Sequence, residues 1–254
     1  MYVKFCAGQG ASNADEKFSA SPFADDNNAK NIHLGGLIFV PYDNGQFSVG
    51  TQFYGATNLI DSDPLGSGDM ITTGDIYSGS MYAMVNGIGN EWSDFLDDTT
   101  FFISGAISRS NPDDGTDVNT ASGYKEMFGS DEMETGYSYW LGLNMPSLIS
   151  EEGRFGLEFN HGSNYWRSIT YAEDTLIGSK VAARGNAYEA YFTEPLVDDI
   201  LSLQVRYTYI DYDYAGSNGF FGSTTGTPYN VASTPSDQIV DTAQDIRVYL
   251  RYRY

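Results

Sequence analysis

Cysteine, proline and basic residues are scarce in this sequence, and these scarcities exclude several classes of protein. The chain of 254 residues has one cysteine, Cys6, and eight prolines. A lone cysteine excludes an internal disulfide framework and a zinc site made of cysteines. With 13 basic residues against 34 acidic ones, the net charge is −21. A charge of that sign excludes nucleic-acid binding through the overall field of the protein.

Long apolar runs are also missing. No stretch provides the roughly 18 consecutive apolar residues that mark a transmembrane helix. Met1 leads directly into the strand-like segment YVKFCAG, so no secretory signal is expected there. Glycine, with 28 residues, and tyrosine, with 20, are abundant instead, and aromatic residues make up 15% of the chain. This composition argues against disorder and favours many strands separated by turns.

The C-terminal segment has the clearest pattern, because apolar or aromatic residues alternate there with mostly basic ones. The first set is Ile246, Val248, Leu250, Tyr252 and Tyr254, and the second is Asp245, Arg247, Tyr249, Arg251 and Arg253. Successive side chains of a strand point to opposite faces, so one face is apolar and the other basic. The segment resembles the closing strand of bacterial outer-membrane β-barrels, whose last residue is typically aromatic.

The same alternation recurs upstream. It is clear around 201–209, 137–145, 155–159 and 47–53, and weaker around 101–107, 81–85, 188–192, 32–40 and 3–7. Together these segments predict about ten strands, each near the roughly 9–11 residues that cross a bilayer at a tilt. A soluble β-sandwich or β-barrel would also alternate, and it is the competing interpretation.

The lengths of the links favour the membrane barrel. Short links alternate with long ones near 10–30, 59–75, 110–135, 167–184 and 215–244. Outer-membrane barrels have short periplasmic turns and long extracellular loops, so a periplasmic Tyr254 places all five long links outside. We therefore predict an all-β, antiparallel up-and-down transmembrane β-barrel. Residues 1–254 form one domain of about ten strands, alone or as part of a larger barrel.

Charge is distributed unevenly in this scheme. The long links hold most of the acidic excess, whereas basic residues prevail on the predicted inner wall. The predicted pore-lining residues are Lys4, Arg154, Glu158, Glu189, Arg206, Asp245, Arg247, Arg251 and Arg253. Unpaired buried charge is very costly, so we infer a wet lumen. A network of paired charges that plugs the barrel is the alternative, because small barrels are narrow enough to be filled by side chains.

The acidic links raise the question of cation binding. Acidic loops can hold divalent cations that bridge anionic surface glycolipid. The stretch Asn111–Asn119 has oxygen ligands and a turn glycine, but it lacks the spacing of a calcium loop. A solvated acidic loop is the favoured interpretation. No metal centre and no cofactor are predicted.

One stretch offers catalytic residue types. His161 and Ser163 are two residues apart, so a strand would present both on the apolar face, and Asn164 follows. A histidine that activates a serine is the arrangement of acyl hydrolases. The stretch resembles the His-x-Ser-Asn segment of outer-membrane phospholipases and lipid A deacylases. His33 is predicted on the opposite face, which argues against a metal site shared by the two histidines.

Three phrases resemble an uncharacterised porin-like family of bacterial outer-membrane β-barrel proteins. They are FGLEFNHGSNYW at 155–166, RGNAYEAY at 184–191 and AQDIRVYLRY at 243–252. The resemblance covers about the last hundred residues and implies a channel-like protein without an established substrate. Members are usually longer, with a signal peptide and further upstream sequence, so we expect this chain to be a C-terminal portion.

The sequence therefore predicts a passive channel of the outer membrane for small hydrophilic solutes. Its expected partners are membrane lipid and lipopolysaccharide, and the barrel-assembly machinery through the C-terminal strand. No nucleic-acid partner is expected. Two alternatives remain: a lipid acyl hydrolase that uses His161 and Ser163, and a non-conducting structural or adhesive barrel that acts through its loops.

Overall fold

The computed structural model describes residues 1–10, 32–62, 70–89, 92–113, 127–168, 177–198, 200–216, 226–233 and 239–253. Ten strands dominate it. They are β1 (Tyr2–Gly10), β2 (Ile32–Asp43), β3 (Phe47–Ser62), β4 (Met70–Asn86), β5 (Thr100–Pro112), β6 (Thr135–Pro146), β7 (Arg154–Gly162), β8 (Gly185–Val197), β9 (Leu201–Tyr212) and β10 (Thr242–Tyr252). In the described ranges, helix is limited to α1 (Asp94–Asp97) and a 3-10 turn at Lys180–Ala182. No helix in these ranges is long and apolar enough to cross a membrane.

The strands form a single antiparallel sheet in which spatial order follows chain order from β1 to β10. Each strand pairs with the next one along the chain, so the topology is up-and-down. The predicted all-β architecture and its ten strands are confirmed. Within the described ranges, β1 pairs only with β2 and β10 only with β9, so these two strands form the edges of the sheet.

Short links turn tightly, as their sequences require. In the link between β2 and β3, the Asn44 side-chain oxygen accepts the backbone N–H groups of Gln46 and Phe47. Gly45 adopts φ +87°, a conformation that L side chains rarely adopt. Between β4 and β5, the Ser93 hydroxyl caps α1 by accepting the N–H of Leu96.

The two faces of the sheet differ in chemistry, and the register keeps like residues opposite each other. Arg206 of β9 lies opposite Arg247 of β10, and Val205 lies opposite Val248. We call the face that carries Arg206 and Arg247 the polar face, and the face that carries Val205 and Val248 the apolar face. The pairs Glu158–Glu189 and Leu157–Ala190 continue these faces across β7 and β8.

Exposure is the reverse of that in an ordinary water-soluble sheet. On β10, the apolar-face residues Ile246, Val248, Leu250 and Tyr252 are between 65% and 71% exposed. On the polar face of the same strand, the side chains of Asp245 and Arg247 are only 22% and 15% exposed. These four apolar side chains of β10 point outward, whereas Asp245 and Arg247 are shielded.

The small hydrophobic clusters lie on the polar-face side, near the strand ends that the long links join. Ala56, Leu59 and Ile76 pack there with Met127 and Phe128 from the link between β5 and β6. A second cluster joins Ala183, from the link between β7 and β8, to Ala187 and Ile210. Link segments therefore fold back over the polar face at this end of the sheet.

One predicted orientation is wrong. His33 was expected on the inner wall, but it lies two residues from Gly35 and four from Leu37 on an unbroken stretch of β2, and Leu37 pairs with Phe53. His33 therefore shares the apolar face. The prediction failed here because the alternation in 32–40 is weak. Gly35 and Gly36 have no side chains that would distinguish an apolar face from a polar one. Tyr254, most of Asn111–Asn119 and parts of each of the five predicted loops lie outside the described residues.

Candidate functional site

The centre of the polar face carries a compact ionic cluster. The Lys180 ammonium lies 2.6 Å from a Glu158 carboxylate oxygen and 2.5 Å from one of Glu189. Arg206 reaches the same Glu189 carboxylate at 3.2 Å. The side chains of Lys180, Glu158 and Glu189 are 7%, 9% and 1% exposed, so this ionic cluster is almost completely buried.

Neighbouring polar groups complete the hydrogen bonding of the two carboxylates. The Trp140 indole N–H donates to Glu158 at 3.0 Å, and the Thr208 hydroxyl donates to Glu189 at 2.8 Å. Glu189 lies opposite Thr208 and also opposite Glu158, and Trp140 lies two residues from Gly142, the register partner of Glu158. Two carboxylates opposite each other would repel, and the ammonium between them removes that repulsion.

Lys180 reaches the cluster from a link and not from a strand. The 3-10 turn that contains Lys180 lies in the link between β7 and β8. The Asn160 side-chain amide donates to the Lys180 carbonyl at 2.9 Å. The Ser138 hydroxyl in turn donates to the Asn160 side-chain oxygen at 3.2 Å. Strands β6 and β7 therefore fix the backbone of the turn, and its side chain completes the cluster.

A second polar group lies nearer the strand ends that the short links join. Arg154 donates to the Asn144 side-chain oxygen and, at 2.6 Å, to the Asp98 carbonyl. The Asn144 amide donates to the Tyr191 hydroxyl at 3.3 Å, and the Arg206 guanidinium lies 5.2 Å from the Tyr191 ring centroid. Arg154 is thus held by neutral partners, whereas Arg206 also pairs with Glu189.

All the predicted pore-lining residues within strands lie on the polar face. Arg247 pairs with Asp245 at 2.6 Å, and Arg251 is exposed on the same face of β10. Lys4 of β1 reaches this face through its register partner Ile38, which lies opposite Gln52. Arg253 follows the end of β10 and is also exposed, with its backbone N–H donating to Ile200.

Two buried arginines hold link segments together at the long-link end of the polar face. Arg184 is fully buried and donates to the carbonyls of Trp166, Ala215 and Gly226. Arg167 donates to the carbonyls of Phe128 and Gly226. Both guanidiniums thus meet at the Gly226 carbonyl. We call these segments, 127–130, 165–168, 182–184, 215–216 and 226–227, the link cap.

The link cap is tightly packed. A Cβ on Gly226 would collide with the Met127 carbonyl, and one on Gly129 would collide with the Gly226 backbone. Burial raises the pKa of the Tyr165 phenol, and the nearby Glu134 carboxylate raises it further. The phenol therefore stays protonated in ordinary buffers. The cap covers part of the polar face at the end where the long links meet.

The catalytic residue types occupy the expected strand end, but their contacts differ from the prediction. His161 lies on the apolar face, and its Nδ1 is 3.0 Å from the Asn186 side-chain oxygen on β8. Strand β7 ends at Gly162, so Ser163 leaves the strand. The Ser163 hydroxyl oxygen accepts the Tyr137 N–H at 2.9 Å, and the residue is only 9% exposed. Within the described ranges, no hydrogen bond joins His161 to Ser163, and Asn164 lies in the following turn.

An aromatic row surrounds His161 on the apolar face. The His161 ring centroid lies 5.1 Å from that of Tyr139, and the ring centroids of Phe159 and Tyr188 are also 5.1 Å apart. Tyr188 continues the row to Tyr209 at 6.4 Å. His33 is remote from this row, because β3 to β6 lie between β2 and β7. In the described ranges, no group of three or more His, Cys, Asp or Glu side chains is arranged to hold a metal ion.

Comparison with known families places the chain. A family model described as "Protein of unknown function (DUF3373)" matches residues 1–254. The chain belongs to the DUF3373 family. Searches of curated proteins and of solved structures gave no match. The family description assigns no activity, so the porin-like interpretation of this DUF3373 chain stays a prediction.

Several residues of the ionic cluster and link cap escaped the sequence analysis of this DUF3373 member. Lys180, Arg184 and Arg167 all fall in the link 167–184, which was predicted to be a long extracellular loop. One signal was available: this is the only long link in which basic residues outnumber acidic ones. Asn186, the partner of His161, carried no signal, because pairing of β7 with β8 brings the two residues together.

Proposed function

We propose that this protein is a channel-like β-barrel of the bacterial outer membrane, through which small hydrophilic solutes diffuse along the polar face. The observation that carries the proposal is the exposure on β10. Apolar side chains there are more than half exposed, whereas the charged side chains of Asp245 and Arg247 on the other face are shielded. Exposure of a continuous apolar face is favourable in lipid and unfavourable in water.

The edges of the sheet support closure. Among the described residues, strands β1 and β10 each have one edge of unpaired backbone groups, and in hydrocarbon each such group costs several kcal/mol. A membrane location therefore requires the two edges to pair with each other or with further strands. The topology is suited to closure, because every neighbouring pair is already antiparallel. In the proposed orientation, β10 ends in the periplasm and the long links face outward.

The polar face supports a hydrated path that is narrowed by protein. Lys4, Arg251 and Arg253 are exposed on or beside this face, and exposed charge requires water next to it. The ionic cluster and the link cap occupy part of the same side. A path restricted by folded-in link segments would admit small solutes and exclude large ones, which combines the two alternatives of pore and plug.

Conductance measurement tests this proposal directly. Purified protein that has been folded into planar lipid bilayers should produce stepwise current increments in KCl. Liposomes that contain it should swell in small sugars and progressively less in larger ones. Protein that has been unfolded and added at the same concentration is the control. Folded protein that repeatedly gives neither current steps nor swelling would contradict the channel.

The hydrolase is a second candidate, favoured by one contact. Asn186 lies within hydrogen-bond distance of His161 from the next strand, which is where a residue that orients the imidazole is needed. The Ser163 hydroxyl is nevertheless engaged by the Tyr137 N–H and buried. We therefore expect purified protein to release no fatty acid from phospholipid or lipid A. Release that Ser163→Ala abolishes, and that Ser104→Ala on the polar face leaves intact, would establish the enzyme.

A further inference from the structure

The acidic residues on the polar face of β6 to β10 are all compensated by cations. Glu158 pairs with Lys180, Glu189 pairs with both Lys180 and Arg206, and Asp245 pairs with Arg247. Glu158 and Glu189 were counted in the sequence analysis as carboxylates opposing the arginines. Lys180 changes that balance, because its ammonium lies between the two carboxylates and cancels much of their field.

The cations of the same wall are not all compensated. Arg154 donates to an amide oxygen and to two backbone carbonyls, which are neutral partners. Arg251 is exposed, and no ion pair of Arg154 or Arg251 occurs within the described part of the chain. These two arginines thus contribute positive potential on the polar face near the short-link end, where Glu194 is a neighbouring carboxylate that accepts the Ser150 hydroxyl.

We propose that the path favours small anionic solutes over cations and that Lys180 is the residue that determines this specificity. The inference rests on the proposed channel function. Charged side chains that line a narrow passage set its ion preference, since water is restricted there and the field is poorly screened. Carboxylate- and phosphate-bearing solutes are the matching class, because the exposed planar guanidinium of Arg251 can bind such groups at two points, while Arg154 contributes its charge.

Lys180 affects the charge of the wall in two ways, because it adds a positive charge and also neutralises two buried carboxylates. Its removal would uncover two buried carboxylates at once, since Glu158 and Glu189 both depend on it. Glu189 would keep Arg206 and Thr208, but Glu158 would keep only the Trp140 N–H among its described contacts. A single substitution at position 180 therefore changes the ionic cluster from neutral, with two cations and two carboxylates, to a net charge of −1.

The reversal potential in a KCl gradient across a planar bilayer tests the inference. Full-chain protein should favour chloride. Lys180→Gln should move the chloride-to-potassium permeability ratio towards potassium by about twofold or more, the effect of one unit charge within about a Debye length of the path. Arg109→Gln is the matched control, because Arg109 lies on the apolar face, between Tyr77 and Thr135 in the register, and its loss should leave the ratio unchanged.

Two further variants keep the test decisive where Lys180→Gln does not fold. Glu158→Gln removes one acidic charge and should raise the chloride preference, while exposed Arg251→Glu should lower it. A Lys180→Gln channel that conducts with the wild-type chloride-to-potassium permeability ratio would overturn the inference and leave the proposed channel intact. Where Lys180→Gln does not fold, the same result in Glu158→Gln would do so. Wild-type protein that never conducts would instead defeat the proposed function.

Discussion

Val248→Arg is expected to weaken folding into lipid bilayers by about 2–4 kcal/mol, the cost of an arginine on the lipid face near the bilayer midplane. Val248 lies near the middle of β10, opposite Val205, and is 65% exposed on the apolar face. An arginine there would have to leave water when the strand enters hydrocarbon. Equilibrium unfolding from bilayers in denaturant, followed by tryptophan fluorescence, measures the change.

Tyr249→Arg is the matched control, one residue further along the same strand and on the polar face. Its guanidinium would remain beside water, and repulsion from Arg247 and Arg251 should cost less than about 1 kcal/mol. The membrane placement predicts a clear gap between the two variants. If Val248→Arg and Tyr249→Arg lowered the free energy of unfolding equally, or if Val248→Arg left it unchanged, lipid would not contact the apolar face.

Arg184→Met should detach the link cap, with a loss of about 3 kcal/mol or more of local stability. Arg184 is fully buried and donates to three carbonyls from separate segments, at Trp166, Ala215 and Gly226. Hydrogen bonds to charged groups contribute about 1.5–3 kcal/mol each, and the three acceptors would lose their donor together. Limited proteolysis of the folded protein should then cleave within 165–168 or 226–227, sites that are protected in the parent.

Two comparisons make the proteolysis informative. Arg109→Met removes an exposed arginine from the apolar face and should leave the cleavage pattern unchanged. The strands should survive in Arg184→Met, because their backbone pairing does not involve that side chain, so the far-ultraviolet circular dichroism should stay that of a β-protein. A protease pattern identical to the parent's would mean that the guanidinium does not hold the cap.

The strands and their faces were predictable because the information is local. Alternation on β10 assigned Val248 and Leu250 to one face and Arg247 and Arg251 to the other without knowledge of any partner strand. A period of two fixes orientation as soon as a few residues are strongly apolar or charged. The same rule failed on β2, where Gly35 and Gly36 interrupt the contrast, and His33 was assigned to the wrong face.

The ionic cluster and the link cap were not predictable in this way. Lys180 meets Glu158 only because its link folds back over β7, and Arg184 meets Gly226 across a long separation in sequence. No periodic pattern describes a link that returns to the sheet. The position of Ser163 was misjudged for a related reason: β7 ends at Gly162, where a Cβ would collide with the Ala183 carbonyl, so the apolar face does not extend to position 163.

The two edges that are unpaired in the described sheet have a consequence for the membrane insertion that we propose. Strand β1 offers nine residues and β10 eleven, each with backbone groups that nothing in the sheet satisfies. Removal of water from these two strand edges before they pair would impose a free-energy barrier to insertion, and the barrier grows with every residue. For the membrane location that we propose, we therefore expect insertion to be concerted with pairing of the last strands, and a template that shelters both edges until they pair would lower the barrier.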